Sequence, residues 1–333
     1  MHQQQAPVVR ALFEGICRGD RAALARGITL AESTRDDHRR QARELVAACA
    51  AVQRPRALRI GLTGTPGVGK STFIEALGMR LLRRGHRLSV LAVDPSSARS
   101  GGSILGDKTR MQDLSAADGA YVRPSPSRGT LGGVARGTLD AIILAEATGY
   151  DVCLVETVGV GQSETMVADM VDMFVLLMQP ASGDELQGVK RGIMELADLI
   201  VINKADGPLE LAAALTRTEI ANALHLMLPR RPAWTPKVLR ASAATGHNLD
   251  RVWATVLRYF DALRATGDWD ALRAEQRRKW MWREVTHQLR AALDRDPAAR
   301  ACAQSLEADV LAGAVPPGAA ADHIVARFLA NKN

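Results

Sequence analysis

Leu58-Arg-Ile-Gly-Leu-Thr-Gly-Thr-Pro-Gly-Val-Gly-Lys-Ser-Thr-Phe-Ile-Glu-Ala-Leu77 reads as a strand, a glycine-rich loop and the start of a helix. Leu58 to Thr63 is a short apolar run bounded by a turn signal. From Ser71 to Arg84, apolar Phe73, Ile74, Leu77, Leu81 and Leu82 recur at helical spacing. Between them, Gly64, Gly69, Lys70 and Ser71 hold the fixed positions of a phosphate-binding loop, in the strand–loop–helix context it requires. Gly64, Gly67 and Gly69 let backbone N–H groups turn inward around phosphate oxygens. The following helix adds its N-terminal dipole. Lys70 is expected to bridge the β- and γ-phosphates, and the Ser71 hydroxyl to bind Mg²⁺. Pro66, Val68 and Thr72 complete the expected nucleotide contacts.

The same alternation continues on both sides. Strands are predicted at 58–63, 88–93, 120–122, 151–156, 173–178, 198–202 and 238–240, with helices between most of them. This pattern predicts an α/β fold, a phosphate-loop nucleoside triphosphatase (NTPase) domain whose largely parallel sheet is flanked by helices. Ligand loops then lie at the strand C-termini. Residues 1–55 read as an N-terminal helical region, 56–265 as the nucleotide domain and 266–333 as a C-terminal helical arm, with breaks at Asp296-Pro297 and Pro316-Pro317.

Asn203-Lys204-Ala205-Asp206 follows the β-branched run ending at Ile202 and reads as a guanine-recognition motif. A carboxylate at Asp206 accepts from guanine N1–H and the 2-amino group. Adenine offers neither donor, so ATP would leave that carboxylate unpaired. Ser242 and Ala243, after the last strand, sit where a second base-contacting loop belongs. The expected ligand is therefore GTP or GDP.

Further carboxylates stand at strand ends: Asp94 in Val-Asp-Pro-Ser-Ser, Asp107 after a glycine-rich stretch, and Glu156 before Thr157-Val-Gly159. With Ser71 they make a hard oxygen set suited to Mg²⁺, although acidic residues also cap helices at such places. Lys70, Asp94 and Glu156 are the expected catalytic residues. Gly159 can let a backbone N–H approach a γ-phosphate.

Hydrophobic content of 47% and charged content of 24% are ordinary globular values. No apolar run reaches spanning length, and the N-terminus lacks a secretory pattern, so a cytoplasmic protein with no membrane role is expected. The four cysteines are scattered singly, in neither a metal-ligand nor a disulfide spacing. The net charge of +7 comes from dispersed arginine, and four of seven lysines fall in or beside nucleotide loops. Nucleic acid is therefore not an expected partner.

Several runs resemble one family. They are Thr63 to Thr72, Val93-Asp-Pro-Ser-Ser, Gly101-Gly-Ser-Ile-Leu-Gly-Asp-Lys-Thr-Arg-Met111, Arg123-Pro-Ser-Pro, Gly129-Thr-Leu-Gly-Gly, Val155-Glu-Thr-Val-Gly-Val-Gly-Gln-Ser-Glu164 and Gly183-Asp-Glu-Leu-Gln-Gly-Val-Lys190. The chain looks like a member of the MeaB/ArgK family, the G-protein chaperones of adenosylcobalamin-dependent acyl-CoA mutases. The resemblance implies a mutase partner and GTP-gated delivery of adenosylcobalamin, which this chain meets only through that partner. It also implies slow intrinsic hydrolysis stimulated by the mutase. Lys70, Ser71, Asp94, Asp107 and Glu156 would serve phosphates and Mg²⁺, while Asn203, Lys204 and Asp206 would read the base. The loop 179–190, with Asp184, Gln187 and Lys190, resembles a switch that relays nucleotide state to the partner.

Other classes remain open on the sequence. A nickel metallochaperone GTPase would cluster Cys and His ligands, yet the seven histidines lie far apart. A protein kinase sits poorly with guanine selectivity. A signal-recognition GTPase would cluster its methionines. In the arm, Trp269, Trp280 and Trp282 are close together, and Trp282, Val285, Leu289 and Ala292 form a helical stripe that could fold back on the nucleotide domain. The family resemblance favours a homodimer through it.

Overall fold

The computed structural model describes residues 7–33, 35–93, 111–123, 131–157, 163–180, 191–227 and 229–330. The described helices are α1 (Pro7–Cys17), α2 (Arg21–Ala31), α3 (Asp36–Ala50), α4 (Lys70–Arg83), α5 (Gln112–Ala116), α6 (Leu131–Thr148), α7 (Ser163–Ala168), α8 (Arg191–Leu196), α9 (Glu210–His225), α10 (Leu249–Thr266), α11 (Asp268–Arg295), α12 (Pro297–Leu311) and α13 (Pro317–Ala330). The strands are β1 (Leu58–Gly64), β2 (Leu88–Val93), β3 (Ala120–Arg123), β4 (Val152–Thr157), β5 (Met173–Met178), β6 (Leu199–Ile202) and β7 (Lys237–Arg240).

All seven strands pair in parallel in the order β3-β2-β4-β1-β5-β6-β7. The two-residue period sends alternate side chains to opposite faces. Met173, Val175 and Leu177 join one core with Ile60 and Leu62 of β1, Phe73, Ile74 and Leu77 of α4, and Val256, Tyr259 and Phe260 of α10. Leu176 and Met178 face the other way, against Met194, Ile200, Ile202 and Ile220. Both faces are thus covered, which is why the strands read as continuous apolar runs. The helices α1, α2 and α3 pack on α6. Gly27 sits at that meeting, where an added Cβ would lie 3.1 Å from Ile16 and 3.3 Å from Leu45.

The edge of the sheet where the strands begin carries a repeated device. Asp151, Asp172 and Asp198 each stand just before a strand. Their carboxylates accept the backbone N–H of Arg87 (2.7 Å), the residue just before β2, and of Arg59 (3.1 Å) in β1 and Phe174 (2.8 Å) in β5. Each aspartate donates its own N–H back to the same residue's carbonyl, at 3.0, 2.8 and 2.8 Å. Arg231 Nε reaches Asp198 at 3.4 Å and the Tyr259 hydroxyl donates to the Asp172 carbonyl at 2.7 Å. Burial pushes the Asp198 carboxyl above its ordinary range, against the opposing charge of Arg231.

The chain divides into two compact units, residues 1–272 and 273–333. The first holds the sheet, the helices α1 to α10 and the start of α11. The second holds the rest of α11 with α12 and α13, which pack on each other. No helix of the described residues is long and apolar enough to cross a membrane.

Candidate nucleotide site

The phosphate loop leaves β1 at the sheet edge where the strands end. Gly64 is required by close approach, since a Cβ there would lie 2.5 Å from the Leu177 carbonyl oxygen of β5. At Gly69 the backbone is left-handed, with φ 89°, and a Cβ would meet the Asn203 side-chain nitrogen at 2.9 Å. Pro66 and Gly67 are exposed at the loop's crest, and Val68 is buried beneath it. Lys70 and Ser71 open α4 half-buried, with Thr72 exposed beside them. The Lys70 ammonium donates to the carbonyls of Gly64 (2.7 Å) and Thr65 (3.3 Å).

The base motif is built into the same loop. Asn203 is buried, and both ends of its amide are used. Nδ2 donates to the Val68 carbonyl at 2.8 Å, and Oδ1 accepts the Ala243 N–H at 3.1 Å. Lys204 takes a left-handed conformation uncommon outside glycine, with φ 57°, and its ammonium donates to the Gly67 carbonyl at 2.7 Å. The backbone of Ala205 donates to Ala241 at 3.0 Å, joining the ends of β6 and β7. Ser242 is fully buried and its hydroxyl accepts the Thr245 N–H at 3.2 Å, which shapes the second loop. Arg80 of α4 donates to the Gly246 carbonyl of that loop at 3.1 Å. Asp206 follows, half-buried and extended, ahead of a short 3₁₀ turn at Gly207–Leu209.

Glu156 lies at 7% exposure near the end of β4, level with Leu62 of β1 and Ala92 of β2. The next residue, Thr157, is fully buried and its hydroxyl donates to that of Thr63 at 2.7 Å, tying the ends of β4 and β1 together. Ser71 and Glu156 supply a hydroxyl and a carboxylate, the hard oxygen chemistry that suits Mg²⁺. Among the described residues no three His, Cys, Asp or Glu side chains gather as a metal cluster. Asp94, Asp107 and Gly159 lie outside the described residues, as do Asp184, Gln187 and Lys190.

The structure therefore brings the phosphate loop, Glu156 and both base loops to one edge of the sheet. Sequence reasoning assigned Asn203 and Lys204 to the base alone and missed that both are bonded to phosphate-loop carbonyls. It also missed the Thr63–Thr157 pair. No local signal marks such contacts, because the partners are 94 to 137 residues apart.

Comparison with known proteins gives a consistent result. The family described as methylmalonyl-CoA mutase-associated GTPase MeaB matches residues 24–298. The mouse mitochondrial protein named methylmalonic aciduria type A homolog is 50% identical over 329 residues, covering 96% of this chain and 79% of that one. Escherichia coli GTPase ArgK is 46% identical over 276 residues, covering 82% of each chain. Among solved structures, a LAO/AO transport system kinase superposes with a TM-score of 0.76 at 34% identity, covering 98% of each chain.

Proposed function

Because the chain belongs to the MeaB family of methylmalonyl-CoA mutase-associated GTPases, we propose that it binds an adenosylcobalamin-dependent acyl-CoA mutase, gates cofactor delivery by GTP binding and hydrolysis, and protects or reactivates that enzyme. Intrinsic hydrolysis is slow in this proposal, and docking of the mutase accelerates it. The family description and the mouse relative's name support the partner.

The observation that carries the nucleotide half is the Asn203 amide, bonded at once to the phosphate loop and to the second base loop. Phosphate and base recognition are thereby held in one frame. Asp206 accepts guanine's two donors. Lys70 exchanges its bonds to Gly64 and Thr65 for β- and γ-phosphate oxygens, and the loop N–H groups surround the β-phosphate. Ser71, Glu156, Asp94 and Asp107 would hold Mg²⁺ directly or through its waters. Bound there, the ion would draw off charge as the terminal phosphoryl leaves. Gly159 and the loop bearing Asp184, Gln187 and Lys190 relay the presence of the γ-phosphate to the mutase.

The C-terminal arm is assigned to dimerisation. On α11, Met281, Trp282 and Leu289 are each more than half exposed, and Val285 is 38% exposed. They form a stripe of the kind that a second copy covers.

The test is retention of acyl-CoA mutase on the immobilised protein with GDP, with a non-hydrolysable GTP analogue and without nucleotide, alongside hydrolysis rates. Nucleotide-dependent retention and faster hydrolysis are expected. No retention in any state, with an unchanged rate, overturns the proposal.

A further inference from the structure

The second base loop, residues 242–248 between β7 and α10, is bonded to itself. The Ser242 N–H donates to the His247 carbonyl at 3.1 Å, and the Ser242 hydroxyl accepts the Thr245 N–H at 3.2 Å. The His247 N–H donates to the Thr245 hydroxyl at 3.3 Å. Asn248, left-handed at φ 61°, donates from its side-chain amide to the Arg240 carbonyl at 3.1 Å. A loop tied in this way keeps its own shape, so its placement depends on bonds to elements outside it.

Two such bonds lead to the phosphate side of the site. Near the loop's start, the Ala243 N–H donates to Asn203, which also holds the phosphate loop. Further on, half-buried Arg80 of α4 donates from Nη2 to the Gly246 carbonyl at 3.1 Å. Gly246 is left-handed at φ 77°, and a Cβ there would lie 2.9 Å from Arg80 Cζ, so the guanidinium packs directly on bare backbone. Asp250 flanks the contact. Its Oδ1 accepts Arg84 Nη2 at 2.8 Å and lies 3.9 Å from Arg80 Nε. Arg80 stands about 14 Å along α4 from Ser71. One helix therefore opens with Lys70 and Ser71 and, further down, grips the second base loop.

Resting on the reading that Ser242 and Ala243 contact the guanine base, we propose that Arg80 is a positioning residue for base recognition. Its bond to Gly246 registers the base loop against the helix whose first turn receives the phosphates. The spacing between base and phosphate contacts is then held at two points of the loop, by Asn203 and by Arg80. Arg80 acts through the Gly246 carbonyl, and the Ser242–His247 bond passes that placement on to Ala243.

The test uses full-length protein and the variants R80M, R80A and D250N. Affinities for GDP and for inorganic pyrophosphate, which has no base, are measured by competition against a fluorescent GDP in one buffer. Amide exchange at Thr245 and His247 follows the loop itself. R80M keeps an apolar stem and removes the guanidinium. R80A removes both and carries the test if R80M does not fold. Either variant is expected to weaken GDP binding by about tenfold, the scale of one charge-assisted hydrogen bond. Pyrophosphate affinity stays unchanged, and exchange at the two amides becomes faster. D250N keeps the Gly246 bond and stays near wild type for both ligands. Unchanged GDP affinity in R80M and R80A overturns the proposal. An equal loss for GDP and pyrophosphate reduces Arg80 to a fold contact of α4 and also overturns it, as does D250N behaving like R80M. A wild-type protein that binds pyrophosphate as tightly as GDP instead overturns the base reading on which this rests.

Discussion

Asn203 and Val68, 135 residues apart, are joined by a 2.8 Å hydrogen bond from the side-chain amide to the phosphate-loop carbonyl. Removing it strands buried groups at both ends. In Asn203→Ala the Val68 carbonyl and the Ala243 N–H lose their partner, at a cost of about 1–3 kcal/mol for each group left unsatisfied. GDP affinity is expected to fall by roughly tenfold to a hundredfold, corresponding to about 1.4–2.8 kcal/mol. Titration calorimetry checks this, and wild-type affinity would show that the two loops hold without the bridge.

Asp206 is expected to exclude ATP, because adenine has no donor pair for its carboxylate. Asp206→Asn reverses one hydrogen-bond polarity, so guanine nucleotides weaken and xanthine nucleotides, with a C2 oxygen, gain. Equal calorimetric affinity of the wild-type protein for ATP and GTP would sink the guanine assignment.

Lys70 and Glu156 should separate binding from chemistry. Lys70→Ala removes a charge from the transferring phosphoryl group and is expected to lower kcat by about 100-fold or more. Glu156→Ala should bind GDP in EDTA as wild type does and lose Mg²⁺-dependent hydrolysis. Normal turnover by the Glu156 variant in the presence of mutase would remove that residue from the site.

Alkaline pH should weaken the fold. Burial holds the Cys49 thiol up at about 12 and raises the Tyr121, Tyr150 and Tyr259 hydroxyls, whose ordinary values are 9.0 and 10.0 respectively. The unfolded chain therefore releases these protons first. Their stabilisation is complete below about pH 9 and is lost as pH rises towards the folded-state values. The urea midpoint is expected to fall from about pH 9 upward, with a shallower fall in Cys49→Ala. A flat profile would show that these groups titrate alike in both states.

The arm can be tested without touching the nucleotide site. Light scattering should give twice the chain mass of 35.8 kDa. Trp282→Asp combined with Leu289→Asp should shift this to the monomer and leave GDP affinity unchanged. A full-length monomer at micromolar concentration would end the dimer proposal.

The strands were legible because a sheet covered on both faces leaves no polar alternation to blur them, as Met173–Met178 shows. The misplaced boundaries are informative. Asp151 and Asp198 read as first strand residues, yet β4 and β6 begin one residue later, because those side chains bond backwards to a neighbouring strand. At the candidate site, the strand–loop–helix that holds Gly64, Lys70 and Ser71 was legible because its signal is local. The bridging role of Asn203 was not, since it acts on a backbone group brought near only by the folded sheet.

The three aspartates also behave as a counting device. A carboxylate reaches one particular amide on the next strand, and a strand slipped by a single residue would present its side chains to the wrong face. The alignment of β2 with β4, β1 with β5 and β5 with β6 is thus set at the far edge, about 20 Å from the end where the phosphate loop leaves the sheet, for strands of six residues. Glu156 and Gly64 inherit their heights from that edge. An error made at Asp172 would appear at the phosphate loop as a misplaced oxygen, with no damaged residue anywhere near it.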